Sequence, residues 1–153
     1  MKRHEQGHGS IRRATPADAA EVARIFRESR AEAIPWLPVL HTAEEDEAWY
    51  RGRLGGEAWV YDLDGRVVGF ALLREDDLDA LYVAPEAQRS GVGTALFRQA
   101  QAARPDGFGW WVFRDNTRAR RFYEALGGRC LYETDGAGNE EQTPDARYEW
   151  RPG

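Results

Sequence analysis

One cysteine, Cys130, is all that the 153 residues hold, so no intramolecular disulfide can form and nothing in the chain calls for an oxidising compartment. Long apolar runs are missing as well. No stretch approaches the roughly 18 residues that span a bilayer, and the opening Met1-Lys2-Arg3-His4-Glu5 leads into polar residues, not into the apolar core of a signal peptide. The expectation is a cytoplasmic protein with no membrane partner. Positive charge is in short supply too: 21 Lys and Arg against 26 Asp and Glu leave a formal net charge of -5. Such a chain has no broad positive field to collect phosphates along a nucleic acid, which is therefore not expected as a partner. The acidic balance mildly favours small cationic partners such as amines.

What remains describes an ordinary globular domain, with 42% hydrophobic and 31% charged residues and a mean hydropathy of -0.70. Its length suits one domain and is short for two. Residues 1–10 are polar and contain glycine without any apolar period, which predicts a flexible tail before a single domain at 11–153. Thr15-Pro16-Ala17-Asp18 offers a capping hydroxyl, a proline at the first helical position and a carboxylate two residues on, so a helix follows that buries Ala19, Val22, Ala23 and Phe26. Two prolines make residues 34–40 an apolar loop. Thr42-Ala43-Glu44-Glu45 opens a second helix running to about Leu54, ahead of Gly55-Gly56.

Residues 58–61 and 67–73 are rich in β-formers and flank Asp64-Gly65, a hairpin signal. A third strand, 78–83, ends at Pro85. From Gly91 the apolar spacing becomes helical and stops before Pro105; 108–113 is a strand, 118–126 a fourth helix closed by Gly127-Gly128, and 129–134 and 146–150 are two last strands. No internal repeat is present. This mixture of hairpins and crossovers predicts an α+β domain with a mixed, mostly antiparallel twisted sheet of about six to seven strands flanked by about four helices.

The most informative segment joins the strand ending at Val83 to the helix opening at Gln88-Arg89-Ser90-Gly91-Val92-Gly93-Thr94. Gly91 and Gly93 let a ligand approach the backbone, and the free N–H groups of a first helical turn form an anion cradle suited to a pyrophosphate. The loop has neither the Gly-Lys-Ser/Thr of a P-loop nor a G-x-G-x-x-G pattern, which argues against nucleotide hydrolysis and dinucleotide binding.

Gln88 to Gly93 matches Q/R-x-x-G-x-G/A, and in this the sequence resembles the GNAT superfamily of acetyl-coenzyme A-dependent N-acetyltransferases. Leu81-Tyr82-Val83-Ala84-Pro85-Glu86 is similar to the strand end that precedes the loop in that family. Val112, Asn116, Ala119 and Phe122-Tyr123-Glu124-Ala125-Leu126-Gly127 resemble its second motif. With Ile11-Arg12-Arg13-Ala14-Thr15 and Tyr148-Glu149-Trp150 the likeness covers nearly everything beyond the tail. It implies two central strands, ending at Val83 and Phe113, that splay apart to admit a pantetheine arm. It further implies acetyl-coenzyme A as cosubstrate, with Leu81, Tyr82 and Val83 against the pantetheine amides and Gln88, Arg89, Ser90, Gly91, Val92, Gly93 and Thr94 around the pyrophosphate. Transfer would go to a primary amine of a small molecule or a protein by direct attack, with backbone N–H groups near Val83 holding the oxyanion.

Within that pattern Tyr123 is the general acid, since a phenol of pKa about 10 can give its proton to a departing thiolate of similar basicity; a core tyrosine beside Phe122 is the plain alternative. Asn116 either contacts the cofactor or amine or simply caps a helix. Asp77 and Asp79, two apart on one strand face, are possible bases, unless they are only turn and rim charges. Trp36 and Leu37 in the apolar loop are expected to wall the amine pocket. A non-catalytic acyl-coenzyme A sensor and a metal-dependent hydrolase using His4 and His8 are the rival classes. His4-Glu5-Gln6-Gly7-His8 does fit H-E-x-x-H, but in a polar tail without a third ligand, so no metal site is expected. Cys130 reads as buried filler, and association into a homodimer stays open.

Overall fold

The computed structural model describes residues 9–153. Seven strands, β1 (Gly9–Arg13), β2 (Glu57–Leu63), β3 (Arg66–Arg74), β4 (Asp77–Val83), β5 (Phe108–Phe113), β6 (Arg129–Thr134) and β7 (Asp145–Trp150), form one sheet in the order β1-β2-β3-β4-β5-β7-β6. All neighbours run antiparallel except β4 and β5. Four helices accompany it, α1 (Ala19–Ala33), α2 (Ala43–Arg51), α3 (Val92–Ala103) and α4 (Thr117–Ala125). Gly9 and Ser10, assigned to the tail on composition, pair with Leu63 and Asp62 and belong to β1. His4 and His8 lie outside the described residues.

Local chemistry explains most boundaries. Asp64 and Gly65 sit at φ 55° and 84°, the paired positive values of a tight hairpin turn. Ahead of α1, the Asp18 carboxylate accepts from the Thr15 N–H at 2.9 Å and from Arg12 at 3.0 and 3.1 Å. At the start of α2, Glu45 N–H donates to the Thr42 hydroxyl at 3.1 Å and Thr42 N–H to the Glu45 carboxylate at 2.8 Å. Thr42→Ala is expected to lower stability by about 1 kcal/mol, read as a shift in the urea midpoint at constant slope. The helix ends earlier than its sequence suggests: Gly52 caps it, and a further turn carries Leu54 into the core, where it is fully buried.

The sheet separates two apolar layers. On one face Phe97 of α3 packs with Phe108, Trp110 and Tyr148 of the sheet, with Tyr123 of α4 against them; on the other Ile25 of α1 and Tyr50 of α2 pack with Val60, Phe70 and Leu72. The centre of the sheet is open. β4 and β5 share a single paired position, Asp77 with Gly109, and diverge beyond it. A β-bulge lies just past this point, where Leu73 opposes Leu78 but Leu72 opposes Ala80, leaving Asp79 as the extra residue. Bulges bend a strand and increase its twist, which turns β4 away from β5. The inserted residue also resets the alternation, so that Leu78, Leu81 and Val83 belong to the α3 layer while Ala80 and Tyr82 belong to the α1 layer.

Candidate active site

A cavity of about 1060 Å³ occupies the opening between β4 and β5 and passes through the sheet. Gly91, Gly93, Thr94, Phe122 and Tyr123 line it on the α3 and α4 side; Arg30, Ile34, Asn139 and Asp145 line it on the α1 side. Two different molecules can therefore reach one point from opposite faces.

At the first entrance the backbone supplies the chemistry. Among the described residues none accepts a hydrogen bond of normal geometry from the N–H groups of Arg89 to Thr94, which fall between the 3-10 turn Pro85–Ala87 and the first bond of α3, Ala95 N–H to Gly91 C=O. Arg89 and Gly91 hold φ of 62° and 89°, and that alternation turns successive amides toward a common point. Gln88, Arg89, Gly91, Gly93 and Thr94 line the cavity. Ser90 and Val92 do not: the Ser90 hydroxyl donates to the Ala87 carbonyl, and Val92 is 3% exposed in the core. Their contribution is confined to backbone N–H groups. The Gln88 side chain donates to the Val83 carbonyl at 3.1 Å and accepts from Arg118 at 3.2 Å.

The β4 ladder sorts the next three residues. Ala84 N–H bonds Val68 C=O, so by antiparallel alternation Tyr82 faces its β3 partner Phe70 while Leu81 and Val83 direct their backbone groups into the opening. Tyr82 instead contributes its side chain to the α1 side, where its hydroxyl accepts from Arg30 Nε at 3.3 Å.

Tyr123 of α4 reaches the cavity through an aromatic wall, 4.9 Å from Trp110 and 6.0 Å from Phe97 between ring centres. Its hydroxyl makes no hydrogen bond to the described residues, and burial, followed by the neighbouring Tyr82, pushes its pKa up. The phenol thus stays protonated at neutral pH with its proton uncommitted. Asn116 lines the cavity while capping α4, its side-chain oxygen accepting from Ala119 N–H at 3.2 Å.

Asp77 and Asp79 both line the cavity, each beside an arginine. Arg147 clamps Asp77 with two bonds of 2.9 and 2.7 Å at the apex of the opening, and Asp79, the bulge residue, lies 3.4 Å from Arg74. Trp36 and Leu37 do not line it at all. Leu37 N–H bonds the Ile34 carbonyl in a turn that buries Leu37 and leaves Trp36 48% exposed, away from the opening. The last turn of α1, with Ser29, Arg30, Ala33 and Ile34, provides that wall. Sequence reasoning also passed over Asp145, in the polar stretch before the last strand. Cys130 is half-buried and outside the cavity. Among the described residues no group of three or more His, Cys, Asp and Glu is placed to hold a metal, and no helix is long and apolar enough to cross a membrane.

Comparison with known proteins gives this opening a context. The model of the acetyltransferase (GNAT) family matches residues 20–128. The peptidyl-lysine N-acetyltransferase YiaC of Escherichia coli is 39% identical over 70 residues, which span 45% of this chain and 47% of YiaC. The probable N-acetyltransferase Rv2775 of Mycobacterium tuberculosis is 31% identical over 134 residues, 74% of this chain and 76% of that protein. The solution structure of apo YjaB from Escherichia coli superposes with a TM-score of 0.78 at 25% identity, covering 93% of this chain and 97% of that one. The seven-stranded sheet parted between β4 and β5, the glycine loop at the head of α3 and the match over residues 20–128 together mean that the chain belongs to the GNAT family of acetyltransferases.

Proposed function

We propose that this protein is an N-acetyltransferase that moves an acetyl group from acetyl-coenzyme A to a primary amine of a small molecule or of a protein, by direct attack with both substrates bound. The observation that carries the reading is one cavity with an uncommitted run of backbone N–H groups, 89–94, at its mouth and an uncommitted phenol, Tyr123, in its wall. The donor set fits the cosubstrate: peptide N–H groups at a helix start suit a pyrophosphate, and the open edge of β4 at Leu81 and Val83 suits the amides of a pantetheine arm. Acetyl-coenzyme A, when bound, supplies a thioester whose carbonyl a neutral amine attacks.

The chain's own residues then have separate tasks. Gly91 and Gly93 admit the phosphates, Gln88 ties the loop to the end of β4, and the aromatic wall around Tyr123 keeps bulk water from the reacting end. The Leu81 and Val83 N–H groups stand free to donate to an acyl oxygen. Tyr123 gives its proton to the leaving sulfur. We read the enzyme as cytoplasmic, where its cosubstrate would be met.

A panel of primary amines that includes a lysine-containing peptide, assayed by release of free thiol, tests this reading. Turnover of at least one amine is expected. Tight binding of acetyl-coenzyme A without turnover across the panel would instead make the protein an acyl-coenzyme A sensor.

A further inference from the structure

Among the described residues three aspartates are buried: Asp18, Asp46 and Asp145. Asp18 lies against Arg12 at 3.0 Å and Asp46 against Arg27 at 2.6 Å. Asp145 has no such partner. It opens β7 opposite Phe113 of β5, is 8% exposed, and lines the α1 side of the cavity. Its carboxylate accepts only from neutral groups, the Thr134 hydroxyl and the Asn139 amide, the latter at 3.0 Å. Neutral donors orient a buried carboxylate without balancing its charge, and a buried charge calls for a partner of opposite sign.

Arg30 of α1 pairs with Glu141 of the loop 135–144 at 3.3 Å, Arg118 of α4 with Glu32 of α1 at 2.6 Å, Arg147 on the same strand is held by Asp77, and Arg74 lies against Asp79. Arg89 of the glycine loop and Arg121 of α4 also line the cavity, but no cation among the described residues lies within ion-pair distance of Asp145.

We propose that Asp145 receives the ammonium group of the acceptor and takes a proton from it, a general-base role for which it, unlike Asp77 beside Arg147 and Asp79 beside Arg74, has no arginine competing for its carboxylate. An N–H bond breaks with its electron pair left on nitrogen as the attacking lone pair, and an O–H bond forms on Asp145. A second N–H proton, lost as the amide forms, balances the proton that Tyr123 gives to sulfur. The proton on Asp145 returns to solvent when the site empties, so transfer to an ammonium releases one proton in all. The proposal rests on the acceptor being an amine.

Asp145→Asn tests it, since the amide keeps the size of the side chain and an acceptor for one neighbour while removing the charge. With coenzyme A bound, saturation-transfer NMR should show n-butylammonium binding to the native protein and at least tenfold more weakly to the variant. The uncharged n-butanol should bind both alike, and coenzyme A affinity by calorimetry should agree within twofold. For an amine that is turned over, kcat/KM of the variant should be about 10²-fold lower at neutral pH and recover as rising pH supplies neutral amine. Equal n-butylammonium binding in the two proteins, or none to a native protein that binds coenzyme A, overturns the role of Asp145 alone. Ammonium binding that depends on Asp145 in a protein that does not bind coenzyme A overturns the acetyl-coenzyme A reading instead.

Discussion

Tyr123→Phe is expected to lower kcat by roughly 10²- to 10⁴-fold with acetyl-coenzyme A as donor, the usual worth of a positioned acid, and to leave the dissociation constant of the donor little changed. The separation follows from how the residue is held. Its ring packs against Trp110, Phe97 and Phe122, all contacts that phenylalanine keeps. Its hydroxyl bonds none of the described residues, so deleting it strands no protein donor or acceptor and the fold should melt within a few degrees of the native temperature. Only the proton is lost. A donor whose leaving thiol has a low pKa departs without needing that proton, so the defect should shrink with it. The pH profile gives a further check: because burial raises the Tyr123 pKa above its ordinary value of 10.0, its deprotonation should produce no loss of activity on the alkaline side until beyond that value. Normal turnover by Tyr123→Phe would reduce the residue to a piece of the aromatic wall.

How much of this was readable in advance depended on the range of the interactions. Turn and cap chemistry is local, and it placed the Asp64-Gly65 hairpin, the Thr42 cap and the Gly91 entry to α3 close to where they lie. The splay of β4 and β5 came from likeness to a family, and no periodicity of either strand contains it. Its physical cause, the extra residue at Asp79, is visible only as a register shift against β3.

Several site residues take their surroundings from partners distant in sequence. The clamp on Asp77, Arg147, lies 70 residues away in sequence. Tyr82 looked like a backbone contact until its pairing with Phe70 showed which way its peptide groups turn. Asp145 sits among polar residues that read as a loop; its meaning comes from Thr134 across the sheet and from the absence of a cation, and neither is a property of a short window. Trp36 and Leu37 were chosen as apolar loop residues near a pocket, but one turn of backbone sends Leu37 into the core and Trp36 to the surface.

Gly91→Val should weaken coenzyme A binding by about 10²-fold or more, equivalent to roughly 3 kcal/mol, while the protein stays folded. The distinction lies in what the new side chain would meet. Gly91 holds φ at 89°, where a β-branched residue is strained by about 1–3 kcal/mol, yet a Cβ there finds no protein atom within 4 Å. Nothing in the core is displaced. The variant either accepts the strain and projects its methyl groups into the space that the phosphates need, or rotates to negative φ and turns the neighbouring amides away from their common point. Both routes damage the anion cradle and little else. Gly93→Ala is the informative contrast: its φ is not positive, and its Cβ would meet the Phe122 ring at 3.2 and 3.3 Å, so it acts on the contact between α3 and α4 and not on the direction of the loop amides. Calorimetry with coenzyme A and with pantetheine, which lacks the pyrophosphate, completes the test. The Gly91→Val loss should be large for the first and near zero for the second. Equal losses for both would mean that the loop shapes the arm's channel without holding phosphate, and no loss for either would remove 88–94 from the site.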